Sequence, residues 1–225
     1  MTTQKRPIRV TMASWPPRIN YVERSVRSLL DQTVVPDSIE INLSRVEFPN
    51  GEVDIPEGLR KLVKDSNGKV IVNWEEGNTY VFRKEVPVVK KYHGTDTVML
   101  SCDDDIFYER GFVEYIVSKL GDHDAYNEEP GVVGYKQAVN LRKYTPEFWE
   151  ALNPEVIKCG ISDTWHFWYL QKIKADCQWG PRDTKFLELC RGVACDVLPN
   201  SERIGGYTLE RCQLADTLSR RALRL

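Results

Sequence analysis

The sequence predicts an α/β protein built around a mostly parallel β-sheet. Before the aspartates at 103–105, four β-type apolar runs alternate with three segments of helical spacing. This alternation is typical of parallel strands joined by crossover helices. Polar residues follow the apolar runs, and sheets of this kind bind their ligands beyond the carboxyl ends of the strands. We therefore expect the loops after the strands to meet in one crevice.

The first strand is predicted at 8–13. It should not continue past Ser14, because the prolines at 16 and 17 cannot continue a hydrogen-bonded ladder. Asn20 and Glu23 form a capping-box pattern, which predicts a helix that ends near Gln32. The next predicted elements are a strand at 38–43, a loop at 47–56, a helix at 59–63, a strand at 70–74, a helix at 81–92 and a strand at 97–102.

The second half of the chain has weaker local signals. We predict a helix at 112–120, a polar loop at 121–130, a strand at 132–135, helices that begin at 145 and 162, and a last helix at 209–223. The sequence contains no repeat and no linker. A single domain that spans residues 1–225 is therefore the expected organisation, divided functionally into residues 1–108 and 109–225.

Composition narrows the class of protein. The chain has 225 residues and a formal net charge of −2, and its basic residues are dispersed, which argues against a nucleic-acid partner. The six cysteines form no CxxC pair, so a reduced, cytoplasmic protein is expected. No apolar run approaches the roughly 20 residues of a membrane span, so any membrane contact should be peripheral.

Three consecutive aspartates, Asp103, Asp104 and Asp105, follow the fourth predicted strand. Carboxylates delivered together at one strand end repel each other unless a cation neutralises them. Carboxylate oxygens are the ligands that hard divalent cations prefer. An acidic turn that caps the next helix is the simpler alternative, but the apolar residues after the aspartates favour a metal site. The pattern therefore indicates metal-assisted chemistry on a phosphate-bearing substrate.

Two segments resemble glycosyltransferases of the GT-A fold, similar to the family 2 type. They read VTMASWPPRINYVERSVRSLLDQTVVPDSIEINLS and MLSCDDDIFYERGFVEYIV, and the resemblance covers residues 8–120. It implies a sugar donor activated by a nucleotide diphosphate, with a UDP-sugar favoured, and a Mn²⁺ or Mg²⁺ ion on the two phosphates. It also implies transfer to an acceptor hydroxyl, with inversion favoured. It also implies that 1–108 binds the nucleotide sugar and that 109–225 binds the acceptor.

The resemblance implies roles for the aspartates. Asp105 would contact the metal, and Asp103 would reach the metal, its waters or the donor sugar. Because the motif is three acids long, Asp104 could take part in either role instead. A cation on the diphosphate stabilises the charge that builds as the glycosidic bond breaks.

Donor-binding residues follow from the same resemblance. Arg18 is favoured among them because a guanidinium can fork onto a phosphate or stack on a base. The structural alternative for Arg18 is a solvated arginine at a helix start, and the alternative for Lys84 and its basic neighbours is a charged helix face. The predicted donor-binding residues besides the aspartates are Thr11, Ser14 and Arg18 for the nucleoside, Ser44 and Asn73 for the base and ribose, and Lys84, with which Arg83, Lys90 and Lys91 compete.

An inverting transferase needs a base for the acceptor's proton. Asp163 is the first candidate, because it begins a predicted helix beside aromatic residues that could stack on a sugar ring. Asp183 follows, and His166 is the third candidate, as a base or an extra metal ligand. Related enzymes carry a pair of acids in this region, whereas this chain has single acids. A retaining mechanism without a positioned base therefore stays open.

Two other functions are compatible with an aspartate-held cation on a wound sheet. A sugar-nucleotide nucleotidyltransferase would share both features, but such enzymes usually carry a Gly-rich, basic loop after the first strand, and ASWPPRIN is not one. A non-catalytic module that binds nucleotide sugars is the second alternative. Donor binding and turnover measured together would separate it from an enzyme.

Overall fold

The computed structural model describes residues 6–77, 83–123, 125–127, 137–143, 177–179 and 190–192. The strands of its first part are β1 (Ile8–Ala13), β2 (Ser38–Ser44), β3 (Val70–Glu75) and β4 (Val98–Ser101). The helices between them are α1 (Ile19–Leu30), α2 (Glu57–Asp65) and α3 (Val86–Tyr92). A 3-10 turn covers Gly51–Asp54 in the loop after β2.

The elements that follow are shorter. They are β5 (Ile106–Tyr108), α4 (Phe112–Leu120), β6 (Ala125–Asn127), β7 (Gln137–Asn140), β8 (Cys177–Trp179) and β9 (Cys190–Gly192). Gly111 precedes α4 with a φ of 96°, a backbone conformation that glycine adopts without the clash of a Cβ atom. No helix in the described part of the chain combines the length and the apolar character needed to cross a membrane.

Among the described residues, seven strands form the main sheet in the order β3-β2-β1-β4-β7-β6-β8, and β5 pairs with β9 in a small second sheet. The first four strands of that order are mutually parallel, β7 is antiparallel to both of its neighbours, and β8 is parallel to β6. The predicted fold class, a mostly parallel sheet with flanking helices, is therefore confirmed.

The hydrophobic pattern explains why these segments pack as they do. All seven residues of β2 are buried, because β2 lies between β1 and β3 and both of its faces are covered. Helix α1 places Val22, Val26 and Leu29 on one face, each fully buried against the sheet. Phe112 and Ile116 of α4 join the same core.

Several local predictions need correction. The N-cap of α1 is Arg18, which makes no side-chain cap hydrogen bond, so Asn20 lies inside the first turn and the capping-box prediction was wrong. Helix α3 begins at Val86 with Pro87 in its first turn, where proline fits. The predicted polar loop at 121–130 contains β6. The strand predicted at 132–135 and the helices predicted from 145, from 162 and at 209–223 lie outside the described residues.

Candidate functional site

The aspartates lie in the turn between β4 and β5, at the carboxyl end of β4. Strand β1 is the neighbour of β4, and its carboxyl end leads into Ser14 and the start of α1. The chain proceeds from β1 through β2 to β3 on one side of β1 and then crosses to β4 on the other side. This reversal of strand order creates the crevice in which open α/β sheets bind ligands. The structure therefore places the acidic turn at that crevice.

Asp104 is buried, and both of its carboxylate oxygens have partners. Ser14 Oγ donates to Oδ2 at 2.6 Å, and Arg18 Nη2 lies 2.5 Å from Oδ1. The backbone carbonyl of Asp104 accepts a hydrogen bond from Ser25 Oγ at 2.7 Å. Burial raises the pKa of Asp104 to about 6, against the opposing effects of Arg18 and Ser14. Asp104 thus fastens the loop after β1 and the body of α1 to the acidic turn.

Arg18 also pairs with Asp105. Its Nη2 atom lies 2.5 Å from Asp105 Oδ1, so one nitrogen bridges two carboxylates. Burial raises the pKa of Asp105, and Arg18 partly offsets that rise. Burial would lower the pKa of Arg18, but the neighbouring aspartates outweigh it and raise the pKa. The Nε atom of Arg18 is buried and has no hydrogen-bond partner among the described residues.

Asp103 pairs with Lys84 through an ion pair between Oδ1 and Nζ. The Asp103 side chain is 28% exposed and the Lys84 side chain 14% exposed, so the pair lies at the edge of the crevice. Burial would lower the pKa of Lys84, but Asp103 first, and then Glu85 and Cys102, raise it above its ordinary value. Lys84 is therefore a charged ammonium held against the acidic turn.

The residues on either side of Lys84 connect three loops and were underestimated by sequence reasoning. Arg83 Nη2 donates to the Ser14 carbonyl at 2.9 Å, and Nη1 pairs with Glu47 Oε2 at 2.6 Å. Glu85 accepts a hydrogen bond from Ser101 Oγ of β4 at 2.6 Å. The signal in the sequence was the run Arg-Lys-Glu directly before an apolar helix, because three adjacent charges beside a buried segment need partners.

A buried polar ladder runs across β1, β2 and β3 beneath this segment. Asn42 Nδ2 donates to Thr11 Oγ1 at 2.9 Å, and Asn73 Nδ2 donates to Asn42 Oδ1 at 2.9 Å. Asn73 also donates to Glu40 Oε2 at 2.9 Å, and Thr11 Oγ1 donates to the Lys84 carbonyl. Two predicted donor-binding residues, Thr11 and Asn73, thus hold the backbone at Lys84 in place through this ladder.

Ser44 lies at the carboxyl end of β2, where its Oγ donates to the Gly77 carbonyl at 2.7 Å and accepts from the Val46 amide at 3.2 Å. Near it, the Arg45 guanidinium lies 4.8 Å from the centre of the Trp74 ring. Ser44 therefore joins the loop after β2 to the loop after β3.

Polar residues on the buried face of α1 support the acidic turn from behind. Ser28 Oγ accepts from the Tyr108 amide at 3.0 Å, and Gln32 Nε2 donates to the Tyr108 carbonyl at 3.2 Å. Tyr108 Oη in turn accepts from the Asp103 amide at 2.7 Å. These contacts give a physical reason for a serine and a glutamine on the inner face of the helix, because buried backbone groups must be hydrogen-bonded.

Two of the three aspartates in the acidic turn fit a divalent cation. Asp103 and Asp105 are partly exposed and offer carboxylate oxygens, which fit Mn²⁺ or Mg²⁺. Asp104 does not fit, because Ser14 and Arg18 occupy its two oxygens. Within the described ranges, no group of three His, Cys, Asp or Glu side chains is arranged to hold a metal ion. The predicted catalytic candidates Asp163, Asp183 and His166 lie outside those ranges.

Solved structures show which fold this is. The chain matches 4-diphosphocytidyl-2C-methyl-D-erythritol synthase from Anaerococcus prevotii DSM 20548 with a TM-score of 0.52 and 8% identity, over 80% of this chain and 88% of that one. It matches S. aureus TarS with a TM-score of 0.54 and 11% identity, over 79% of this chain and 35% of that one. GalNAc-T7, solved with UDP, GalNAc and Mn²⁺, matches with a TM-score of 0.42 and 14% identity, over 61% and 26% of the two chains.

The structural neighbours are nucleotide-sugar transferases with a GT-A-like fold, and they include glycosyltransferases and a nucleotidyltransferase. The two structures with TM-scores above 0.5 establish the similarity of fold, and the chain spans about a third of the length of TarS. No protein-family model and no curated protein sequence matches this chain. The chain therefore shares its fold with the Anaerococcus prevotii synthase and with TarS.

Proposed function

We propose that this protein is a metal-dependent glycosyltransferase that moves a sugar from a nucleotide-diphosphate sugar to an acceptor hydroxyl. The observation that carries the proposal is the position of the acidic turn. Asp103 and Asp105 lie at the carboxyl end of β4, in the crevice where the strand order reverses, and two basic side chains lie within ion-pair distance of them. A crevice that combines carboxylates with cationic groups suits a cation and a diphosphate together.

In this proposal, Asp103 and Asp105 hold Mn²⁺ or Mg²⁺, and Asp104 holds the site together. When bound, the cation neutralises the charge that develops on the leaving diphosphate. Arg18 and Lys84 are the charged groups of this chain that would bind phosphate oxygens. Thr11, Ser14, Ser44 and Asn73 shape the nucleoside side of the crevice, mainly through the hydrogen bonds that fix its loops.

A UDP-sugar is the proposed donor. The fold comparison with TarS supports this choice, because a TarS fragment of residues 1–349 is solved in complex with UDP-GlcNAc. The family 2 resemblance of the sequence favours inversion at the sugar carbon. Asp163 is the first candidate for the base that accepts the acceptor's proton, followed by Asp183 and His166. Asp163→Asn, Asp183→Asn and His166→Ala, with product formation as the measurement, test these assignments.

The experiment is a thermal-shift panel of UDP, GDP, CDP and their sugars, each with MnCl₂ and with EDTA. A ligand present at about 100 times its Kd adds about 2.7 kcal/mol to the free energy of unfolding. For a chain of this size, this corresponds to a rise of roughly 5–10 °C in Tm. We expect one nucleotide family to give such a rise in MnCl₂ and to lose most of it in EDTA.

Matched variants sharpen this panel. Asp105→Asn should lose the cation-dependent shift, whereas Asp31→Asn should keep it, because Asp31 is 72% exposed at the end of α1 and lies outside the site. An equal shift with chelator, or the absence of a shift with every nucleotide, would contradict the proposal. A protein that binds the nucleotide sugar normally but neither transfers nor hydrolyses the sugar would be a non-catalytic binding module.

A nucleotidyltransferase is the second candidate, and one specific observation favours it. The synthase from Anaerococcus prevotii shares the fold over 88% of its length, and its name gives a product with a diphosphocytidyl group. The loop ASWPPRIN after β1 argues against it, because it contains no glycine for close approach of a triphosphate. Incubation with a sugar phosphate and each nucleoside triphosphate separates the two candidates, since only a nucleotidyltransferase releases pyrophosphate.

A further inference from the structure

Both outer aspartates of the acidic turn have a basic partner within the protein. Arg18, at the start of α1, bridges Asp104 and Asp105, and Lys84, just before α3, pairs with Asp103. The two basic residues thus come from different elements and approach the turn from two sides. Two positive side chains face three carboxylates, so the basic residues balance two of the three negative charges.

A cation and a basic side chain compete for the charge of the same carboxylate. A divalent cation bound by Asp103 and Asp105 would weaken the attraction of these carboxylates for Lys84 and Arg18, which contact their Oδ1 atoms, and it would repel both basic groups. A diphosphate would attract these groups, but Arg18 Nη2 and Lys84 Nζ contact carboxylates. The cation and the diphosphate therefore both bind better when the ion pairs Arg18–Asp105 and Lys84–Asp103 are released, so the binding of one favours the binding of the other.

We propose that Arg18 and Lys84 are internal counterions of Asp105 and Asp103, and that they transfer to the diphosphate of the nucleotide when a divalent cation takes their place. This inference rests on the proposed function and deepens it, because it specifies how the site is loaded. It makes the binding of cation and nucleotide a coupled event. The nucleotide alone, and the cation alone, would each bind weakly.

Two features of Arg18 suit it to this exchange. Asp104 is buried and retains its bond to Ser14, so it can keep hold of one side of the guanidinium while Asp105 is released. The Nε atom of Arg18 is buried and has no hydrogen-bond partner among the described residues, so a turn of the guanidinium toward the diphosphate breaks no hydrogen bond at this atom. A guanidinium with several donors in a fixed fork can contact a carboxylate and a phosphate together.

The test measures Mn²⁺ binding directly, from the electron paramagnetic resonance signal of unbound Mn²⁺, with and without UDP. Coupling between two ligands is reciprocal and is typically about 5–150-fold. For the wild-type chain we expect UDP to tighten Mn²⁺ binding by at least about 10-fold. Arg18→Gln should bind Mn²⁺ alone about 10-fold more tightly than wild type, and UDP should then add less than about 3-fold.

Two further variants complete the design. Lys84→Met, which removes the partner of Asp103 instead, should shift Mn²⁺ affinity in the same direction and provides the test if Arg18→Gln does not fold. Arg27→Gln is the matched control, because Arg27 lies on α1, pairs with Glu23 at 2.8 Å and is 58% exposed. It should behave as wild type with both ligands.

The outcomes separate this inference from the proposed function. If wild type binds neither Mn²⁺ nor UDP even when both are present, the proposed function fails, and the exchange fails with it. If wild type binds both, but Arg18→Gln and Lys84→Met bind Mn²⁺ alone no more tightly than wild type, the exchange is wrong while the proposed function stands. Tighter binding of Mn²⁺ alone together with a lost effect of UDP supports the exchange.

Discussion

Asp104 affects both the stability of the protein and the geometry of the site. It fixes Ser14 through one oxygen and Arg18 through the other, and its side chain is only 5% exposed. A buried carboxylate costs free energy when it is charged, and this cost is visible in its pKa of about 6. A cluster that contains such a residue should respond to pH as well as to ligands.

The first prediction concerns this response. The folded chain raises the pKa of Asp104 from 3.8 to about 6, so between these values the folded state holds a proton that the unfolded state has lost. The free energy of unfolding therefore falls as the pH rises through this window. Asp104→Asn removes the effect, so from about pH 4.5 to about pH 7 the variant should gain about 2 kcal/mol relative to wild type.

Urea unfolding in EDTA at the two pH values measures this change without interference from bound cations. Asp31→Asn is the control, because its side chain is 72% exposed, and its stability relative to wild type should stay constant. If Asp104→Asn and wild type differ by the same amount at both pH values, Asp104 is not strained by its burial.

The sequence identified the three aspartates but could not distinguish the middle one. In the sequence all three are equal carboxylates after a strand, and the difference arises because α1 packs over the turn and brings Ser25 and Arg18 to Asp104. A contact between residues about 80 positions apart depends on the assembled sheet. Local patterns carry no information about such a contact, whereas the position of the turn itself follows from the strand that precedes it.

At the scale of the elements, the short segment 83–85 before α3 contacts several other parts of the fold. Arg83 is 3% exposed and connects the loops after β1 and β2 through Ser14 and Glu47. Lys84 faces the acidic turn, and Glu85 contacts β4 through Ser101. The segment therefore sets the distance between the loops that border the crevice.

The second prediction tests this arrangement by removing Arg83. Arg83→Met leaves the Glu47 carboxylate and the Ser14 carbonyl without this partner in a largely buried place, and loss of one partner from a buried ion pair costs about 3–5 kcal/mol. Arg27→Met removes an exposed ion pair of α1 and should cost less than about 1 kcal/mol. Urea unfolding followed by tryptophan fluorescence gives both values. A loss below that of Arg27→Met would show that Arg83 does not hold the loops.

Element by element, the strands β1 to β4 were predicted to within one residue at nearly every end. Their apolar runs are bounded by proline, glycine or charged residues, so the local signal is strong. Strand β6 was missed because Ala125–Asn127 has no strand pattern of its own. It is a strand because β7 and β8 pair with it on both sides, which is a tertiary effect.

At the scale of the whole molecule, residue 108 does not mark a folding boundary. Strand β7 lies between β4 and β6 in the main sheet, and β9 supplies the partner of β5. The buried side chains of α4 belong to the same core cluster as those of β1 and β4. The first half alone would expose one edge of β4 and much of this core.

The last prediction follows from this interdependence. A fragment of residues 1–108 loses the β7 partner of β4 and the apolar face of α4, which includes Phe112, Val113 and Ile116. Complete burial of such side chains contributes about 1.5–3 kcal/mol each, and a domain's whole stability is only about 5–15 kcal/mol. We therefore expect the fragment to be unfolded, without a cooperative urea transition in circular dichroism. The full chain should unfold in one transition that fluorescence and circular dichroism report at the same midpoint. A folded fragment, or two separate midpoints for the full chain, would instead mean that the two halves are independent folding units.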